Sequence, residues 1–93
     1  MCIALLEVKL YAPWVHSLKE KRSVVKPLLA KLRATFNVSA AETGEADTHQ
    51  PIVITVAGIA AHNAQAGSMQ ENILRCIEEN PDATLMDVRR EIL

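Results

Sequence analysis

Four basic side chains share one flank of a predicted helix, and their chemistry suits contact with phosphate groups. At about 100° per residue, they fall within one narrow arc of the helix: Lys19, Arg22, Lys26 and Arg33. Lysine and arginine release condensed counterions when they meet a nucleic acid, so this stripe favours binding to a phosphate backbone. The alternative explanation is a solvated flank whose long aliphatic stems cover apolar neighbours.

The three histidines indicate weaker chemistry. His16, His49 and His62 are far apart in the sequence, and none has a His or Cys at the spacing of metal ligands. Asp47 and His49 could form a weak metal site with Glu42, although a polar loop is the commoner explanation. His16 could exchange a proton near neutral pH, but no nucleophile accompanies it. We therefore predict no metal, no cofactor and no enzymatic activity.

Several known kinds of site are excluded by residue type. The chain has no Gly-rich phosphate loop, catalytic triad or Cys-X-X-Cys motif. An RNA-recognition module would stack bases on aromatic residues of its central strands, and 2–10 and 52–60 contain none. An acylphosphatase would need Arg and Gly in the loop at 12–16, which has neither.

Composition and charge place the chain among small globular proteins with two contrasting halves. With 93 residues, 49% of them hydrophobic and 3% aromatic, we predict one domain, 1–93, with an aliphatic core. Net charge is +5 over residues 1–41 and −6 over residues 42–93. Such asymmetry can create a basic face for an anionic partner, or it can simply maintain solubility.

The first residues and the cysteines indicate the compartment. The apolar run at the start is broken by Glu7 and Lys9 and has no basic segment before it, which is typical of neither a signal peptide nor a membrane span. Cys2 and Cys76 are too few for a disulfide framework. These features predict a cytosolic protein.

The basic flank must be positioned by a long amphipathic helix over residues 18–36. Ser17 and Glu20 have the spacing of a capping box, in which the Glu carboxylate reaches back to the Ser amide. Pro27 lies inside the pattern, and because the apolar arc continues in phase we favour one kinked helix over two in series. Asn37 is expected to end it in the left-handed conformation.

Lys21 differs from the other cations because it lies close to the apolar arc of this helix. A lysine there needs a partner, and we expect it to pair with Glu7 or Glu91 on the sheet. Gly58, near the end of an apolar run, predicts a bulge or a close approach of another backbone.

The periodicity of the whole chain predicts the order βαββαβ. The predicted elements cover residues 2–11, 18–36, 38–42, 52–60, 63–79 and 84–93, with a hairpin loop at 43–51. This order is typical of the α+β ferredoxin-like split βαβ fold, an antiparallel sheet of order 4-1-3-2 with both helices on one face. The other face, partly apolar and partly charged, is left uncovered.

Several stretches of the chain also carry a family resemblance: HSLKEKRSVVK at 16–26, LRATFNVSAAE at 32–42, Asp47 and Gln50 before IVITVAG, and the closing EIL. The chain resembles the YlxP-like family of bacterial proteins of unknown function. The resemblance implies a ferredoxin-like fold and, because relatives are encoded beside translation initiation and ribosome-maturation factors, a link to ribosomes or RNA. Many relatives have Trp where this chain has His49.

Two functions from different classes follow as hypotheses. The first is a ribosome- or RNA-associated binding protein that uses Lys19, Arg22, Lys26 and Arg33. The second is a self-associating module, a homodimer through the open sheet face or the exposed edge of the second strand, with no nucleic-acid role. Neither hypothesis involves a membrane or a small-molecule substrate.

Overall fold

A four-stranded antiparallel sheet with two helices forms the frame of the protein. The computed structural model describes residues 1–44, 48 and 50–93. The elements follow the predicted order, with boundaries within one residue of those expected: β1 Cys2–Tyr11, α1 Leu18–Thr35, β2 Ser39–Glu42, β3 Ile52–Ala60, α2 Asn63–Glu78 and β4 Thr84–Ile92.

The order of the strands is β2-β3-β1-β4, which confirms the predicted ferredoxin-like arrangement. β1 lies in the centre, with Leu6 opposite Val56 of β3 on one side and opposite Arg90 of β4 on the other. β2 and β4 are the two edge strands. The first strand of the chain is therefore completed on both sides by strands that come later.

The core lies between one face of this sheet and both helices. Alternate residues of β1 and β3 point into it because successive side chains in a strand face opposite sides. The largest cluster of buried apolar side chains includes Leu6, Val8, Leu10, Ile52, Ile54 and Val56 from the sheet, and Val24, Val25, Leu28, Leu32, Ile73 and Ile77 from the helices. The buried Cys76 belongs to the same cluster. Both helices thus cover the same face, as predicted.

The start of α1 is capped by side chains. The Ser17 hydroxyl accepts a hydrogen bond from the Glu20 amide at 3.1 Å. The Glu20 carboxylate accepts from the amide of His16 at 2.9 Å, not from that of Ser17 as predicted. The reciprocal capping bond is thus displaced by one residue.

α1 is a single helix that continues through Pro27, which agrees with the prediction of one helix. Its last turn closes where the Phe36 amide donates to the Leu32 carbonyl at 2.9 Å. Phe36 is already extended, with φ −123° and ψ 150°, so the chain passes directly towards β2. The predicted left-handed conformation at Asn37 is wrong, since its φ is not positive.

Two backbone details of the sheet differ from simple alternation. A Cβ atom on Gly58 would lie 2.6 Å from Met69 Cε and 2.9 Å from Val38 Cγ1, so Gly58 is closely approached by two side chains and not, as predicted, by another backbone. The register runs through it without a bulge. The irregularity is in β4 instead, where Lys9 faces Asp87 and the next residue, Leu10, faces Leu85. The extra residue there is Met86, which is 64% exposed, whereas strict alternation over 84–93 would place it on the same side as half-buried Val88.

Candidate nucleic-acid and self-association surfaces

The predicted basic flank lies on the exposed side of α1. Lys19, Arg22 and Lys26 are all exposed. Within the part of the chain that the structure describes, they have no hydrogen bond or ion pair. A guanidinium N–H of Arg33 instead donates to the carbonyl of Ala40 in β2. Three of the four cations therefore present their charge to solvent without a described partner.

The bond from Arg33 shows where the flank lies relative to the sheet. Thr43 donates to the Val53 carbonyl at 3.0 Å, and in an antiparallel ladder only every second residue bonds to a given neighbour. The Ala40 carbonyl consequently points away from β3, towards the open edge of β2. The Arg33 end of the flank therefore lies beside this edge, and Arg33 retains donors beyond the one it uses because a guanidinium has five.

Lys21 is buried, and its partner differs from the prediction. The residue is 1% exposed, with Nζ 2.5 Å from Glu42 Oε2 and 2.6 Å from the Thr48 carbonyl. The prediction that Lys21 pairs with Glu7 or Glu91 is wrong, because both of these side chains lie on the sheet face opposite the helices. Lys21 therefore ties α1 to β2 and to Thr48, and it is not part of the exposed flank.

The sheet face opposite the helices, called the open face below, has an apolar end and a charged end. At the apolar end Ile3 lies between Ile59, 76% exposed, and Leu93, 65% exposed. Ile3 and Leu93 exchange two backbone hydrogen bonds, of 2.8 and 2.9 Å. The two outer side chains of this row are exposed to water and Ile3 between them is half-buried, which favours a surface that meets another protein.

The charged end of the open face is formed by β1 and β4. Glu7 lies opposite Arg89, with 3.6 Å between the carboxylate and the guanidinium, and Lys9 lies opposite Asp87. A depression of about 320 Å³ beside them is lined by Leu5, Glu7, Arg89, Arg90 and Glu91. Acidic and basic groups thus alternate along both strands.

Comparison with known proteins places these surfaces in a family. The family model described as "Protein of unknown function (DUF503)" matches residues 3–90. The chain belongs to the DUF503 family. It is also 33% identical over 75 residues, 81% of this chain and 82% of that protein, to the uncharacterized protein YlxP of Bacillus subtilis strain 168. The predicted YlxP-like resemblance is confirmed.

Two other polar groups considered for chemistry, His62 and Glu42, have structural partners in this DUF503 domain. His62 caps α2, its Nδ1 accepting from the Gln65 amide at 3.2 Å. Glu42 is paired with Lys21, while Asp47 and His49 lie outside the described residues. Among the residues described, no three His, Cys, Asp or Glu side chains are grouped to hold a metal, and no helix has the length and apolar character to cross a membrane.

Gln70 is a buried polar residue that the sequence analysis missed. It is 1% exposed, and its Nε2 donates at 2.8 Å both to the Leu5 carbonyl and to the Glu91 carbonyl. Its Oε1 accepts from Arg90 Nε at 3.1 Å. The signal was present, because Gln70 is in phase with the buried Ile73 of α2. In this member of the DUF503 family it joins α2 to the two strands of the charged end.

Proposed function

We propose that the chain is a cytosolic, non-enzymatic protein that binds RNA through Lys19, Arg22, Lys26 and Arg33. The preferred partner is ribosomal RNA or a ribosomal subunit. The observation that carries the proposal is the set of three exposed cations on one flank of α1 without a described partner. The link to ribosomes rests on the family resemblance, and the choice of RNA rests on the chemistry of the flank.

The spacing of the flank suits separate contacts with separate phosphates. At about 1.5 Å of rise per residue, Lys19 and Lys26 are roughly 10 Å apart along the helix axis, and Arg33 lies about 10 Å further. A rigid helix holds these charges in line, so they can follow a backbone without reading bases. Since the central strands offer no base-stacking aromatics apart from Tyr11 at the end of β1, the proposed binding is electrostatic and tolerant of sequence.

A salt series with ribosomal subunits tests this proposal. The protein is expected to co-sediment with subunits at low salt, and affinity should fall roughly 20- to 150-fold between about 50 and 200 mM salt if three or four phosphates are contacted. Lys19→Glu with Lys26→Glu should weaken binding about tenfold or more, because two contacts become repulsive. Reversal of all four cations should abolish it.

A matched control separates the contribution of the flank to binding from the effect of net charge. Lys31→Glu with Arg75→Glu changes the net charge by the same amount, and both residues are exposed but lie off the flank. This control should bind within about twofold of the parent if the flank is the interface. Equal losses in both variants, or no association at low salt, would contradict the proposal.

A second candidate function is favoured by the open face. The row of exposed Ile59, half-buried Ile3 and exposed Leu93 continues into half-buried Leu5 and Ala57. A contiguous apolar surface of this kind is typical of a protein contact. We propose that the chain self-associates as a homodimer through this face. Sedimentation equilibrium is expected to show a dimer at micromolar concentration, and a strict monomer over that range would exclude it.

A further inference from the structure

We infer that two copies pack against each other through their open faces and are related by a two-fold axis. The axis lies between the two sheets and runs perpendicular to the strands. It passes between the level of the Glu7–Arg89 pair and that of the Lys9–Asp87 pair. The partner is a second copy of this chain. This inference rests on the second candidate function, self-association, and adds to it the orientation of the two copies and the residues that select it.

The charge pattern supports this axis. Along β1 the order is Glu7 then Lys9, and on the facing positions of β4 it is Arg89 then Asp87. A two-fold axis that lies between the sheets and crosses the strands leaves each strand opposite its own copy but reverses its direction. Glu7 then faces the partner's Lys9, and Arg89 faces the partner's Asp87. All four charges meet a charge of opposite sign.

The neutral positions around these charges are compatible with the same axis. Leu5 of β1 faces the partner's Tyr11, an exposed aromatic side chain, because the same reversal relates them. On β3, Thr55 lies beside Glu7 and Val53 lies beside Lys9, so Thr55 faces the partner's Val53. The uncharged positions nearest the axis thus meet one another. The row of Ile59, Ile3 and Leu93 lies at the outer end of the contact, beyond the end of the partner's β1 at Tyr11.

Charge also decides against one other arrangement. A two-fold axis parallel to the strands and between β1 and β3 would place β1 over the partner's β3, so Glu7 would face Thr55 and Lys9 would face Val53. Neither charge would then gain a partner across the interface although each would lose contact with water, which is unfavourable. The axis that crosses the strands avoids this cost.

A parallel axis between β1 and β4 would instead place Glu7 over the partner's Arg89 and Lys9 over the partner's Asp87. The experiment below separates that axis from the proposed one, because under it neither the mixture nor the double variant would recover the dimer.

The edges of the sheet are less suited to pairing than its open face. On β2, the Arg33 guanidinium donates to the Ala40 carbonyl, which points away from the sheet. On β4, the Asp87 carboxylate accepts a hydrogen bond of 2.9 Å from the Val88 amide. Leu93 bonds to Ile3, and because only every second residue of β4 bonds to β1, the Val88 amide points away from the sheet. Charged side chains that hydrogen-bond to the unpaired backbone groups of an edge strand commonly protect it against the addition of another strand. The open face is the larger surface left without such protection.

Exchange of charges between copies tests the inference. Glu7→Lys and Lys9→Glu each place like charges opposite one another in a homodimer, so each variant should dimerise roughly 100-fold more weakly than the parent. An equimolar mixture should recover the dimer as a heterodimer, since both contacts are again attractive. The double variant Glu7→Lys with Lys9→Glu should recover a homodimer. Sedimentation equilibrium and native mass spectrometry measure all four.

The outcomes separate this inference from the function on which it rests. Recovery in the mixture also shows that the single variants are folded, and Arg75→Glu, on the helix side of the molecule, serves as a control that should dimerise normally. A strictly monomeric parent would contradict self-association itself. A dimeric parent whose single variants dimerise equally well, or whose mixture fails to recover, would contradict only the proposed axis.

Discussion

Lys21→Met is expected to lower the free energy of unfolding by about 3 to 5 kcal/mol, because it leaves a buried carboxylate without its cation. Lys21 is 1% exposed, and the Glu42 oxygen that it contacts is itself buried. Methionine has a similar length and fills the same apolar space, so the loss should come from charge and not from a cavity. Urea denaturation followed by circular dichroism measures the change.

The matching variants give this prediction a clear control. Glu42→Gln should also destabilise, since it leaves the buried ammonium group without its counterion, but Lys21→Met with Glu42→Gln should recover part of the stability because no buried charge remains. Lys31→Met, an exposed position on the same helix, should change stability by less than about 0.5 kcal/mol. Additive losses in the double variant would contradict the pairing.

Gln70→Glu is expected to destabilise the fold by about 3 kcal/mol, because a carboxylate cannot donate to the two carbonyls that the amide now joins. Nε2 of Gln70 lies 2.8 Å from both the Leu5 and Glu91 carbonyls. An oxygen at that position would face two acceptors in a buried site. Arg90, which donates to Oε1, offsets only part of this repulsion. Thermal unfolding at neutral pH measures the loss.

Acidity provides a second measurement for the same variant. A protonated carboxyl group has one donor, so the stability difference between Gln70→Glu and the parent should shrink as the pH is lowered. Gln70→Met, which carries no charge, should lose less stability, and its difference from the parent should not depend on pH. A loss in Gln70→Glu that is independent of pH would contradict the role assigned to the two carbonyls.

Local pattern predicted the elements of this fold well, and the reasons are visible at particular residues. The in-phase apolar positions across Pro27 indicated one helix, and the run at 52–60 indicated a buried strand. Alternation placed Met86 on the same side as Val88, but a single extra residue in β4 shifts the register there and Met86 is 64% exposed. That shift depends on pairing with β1, which no local pattern contains.

The candidate surfaces were predicted less completely than the fold. The exposure of Lys19, Arg22 and Lys26 follows from the phase of α1, but the contact of Arg33 with Ala40 depends on how β2 lies beside that helix. The predicted partner of Lys21 was wrong for a similar reason. The face on which Glu42 lies is set by the pairing of Glu42 with Ile54 in β3. Interactions across elements require a register that periodicity does not supply.

The bonds between Ile3 and Leu93 have a consequence for how the chain is made. They join the first strand to the residue that follows the last strand, so β1 leaves the ribosome first but acquires its second neighbour only when synthesis has reached β4. Contacts between residues so far apart in sequence form slowly. An apolar strand that is made before both of its neighbours exposes its backbone and apolar side chains until they pair with it, which favours aggregation.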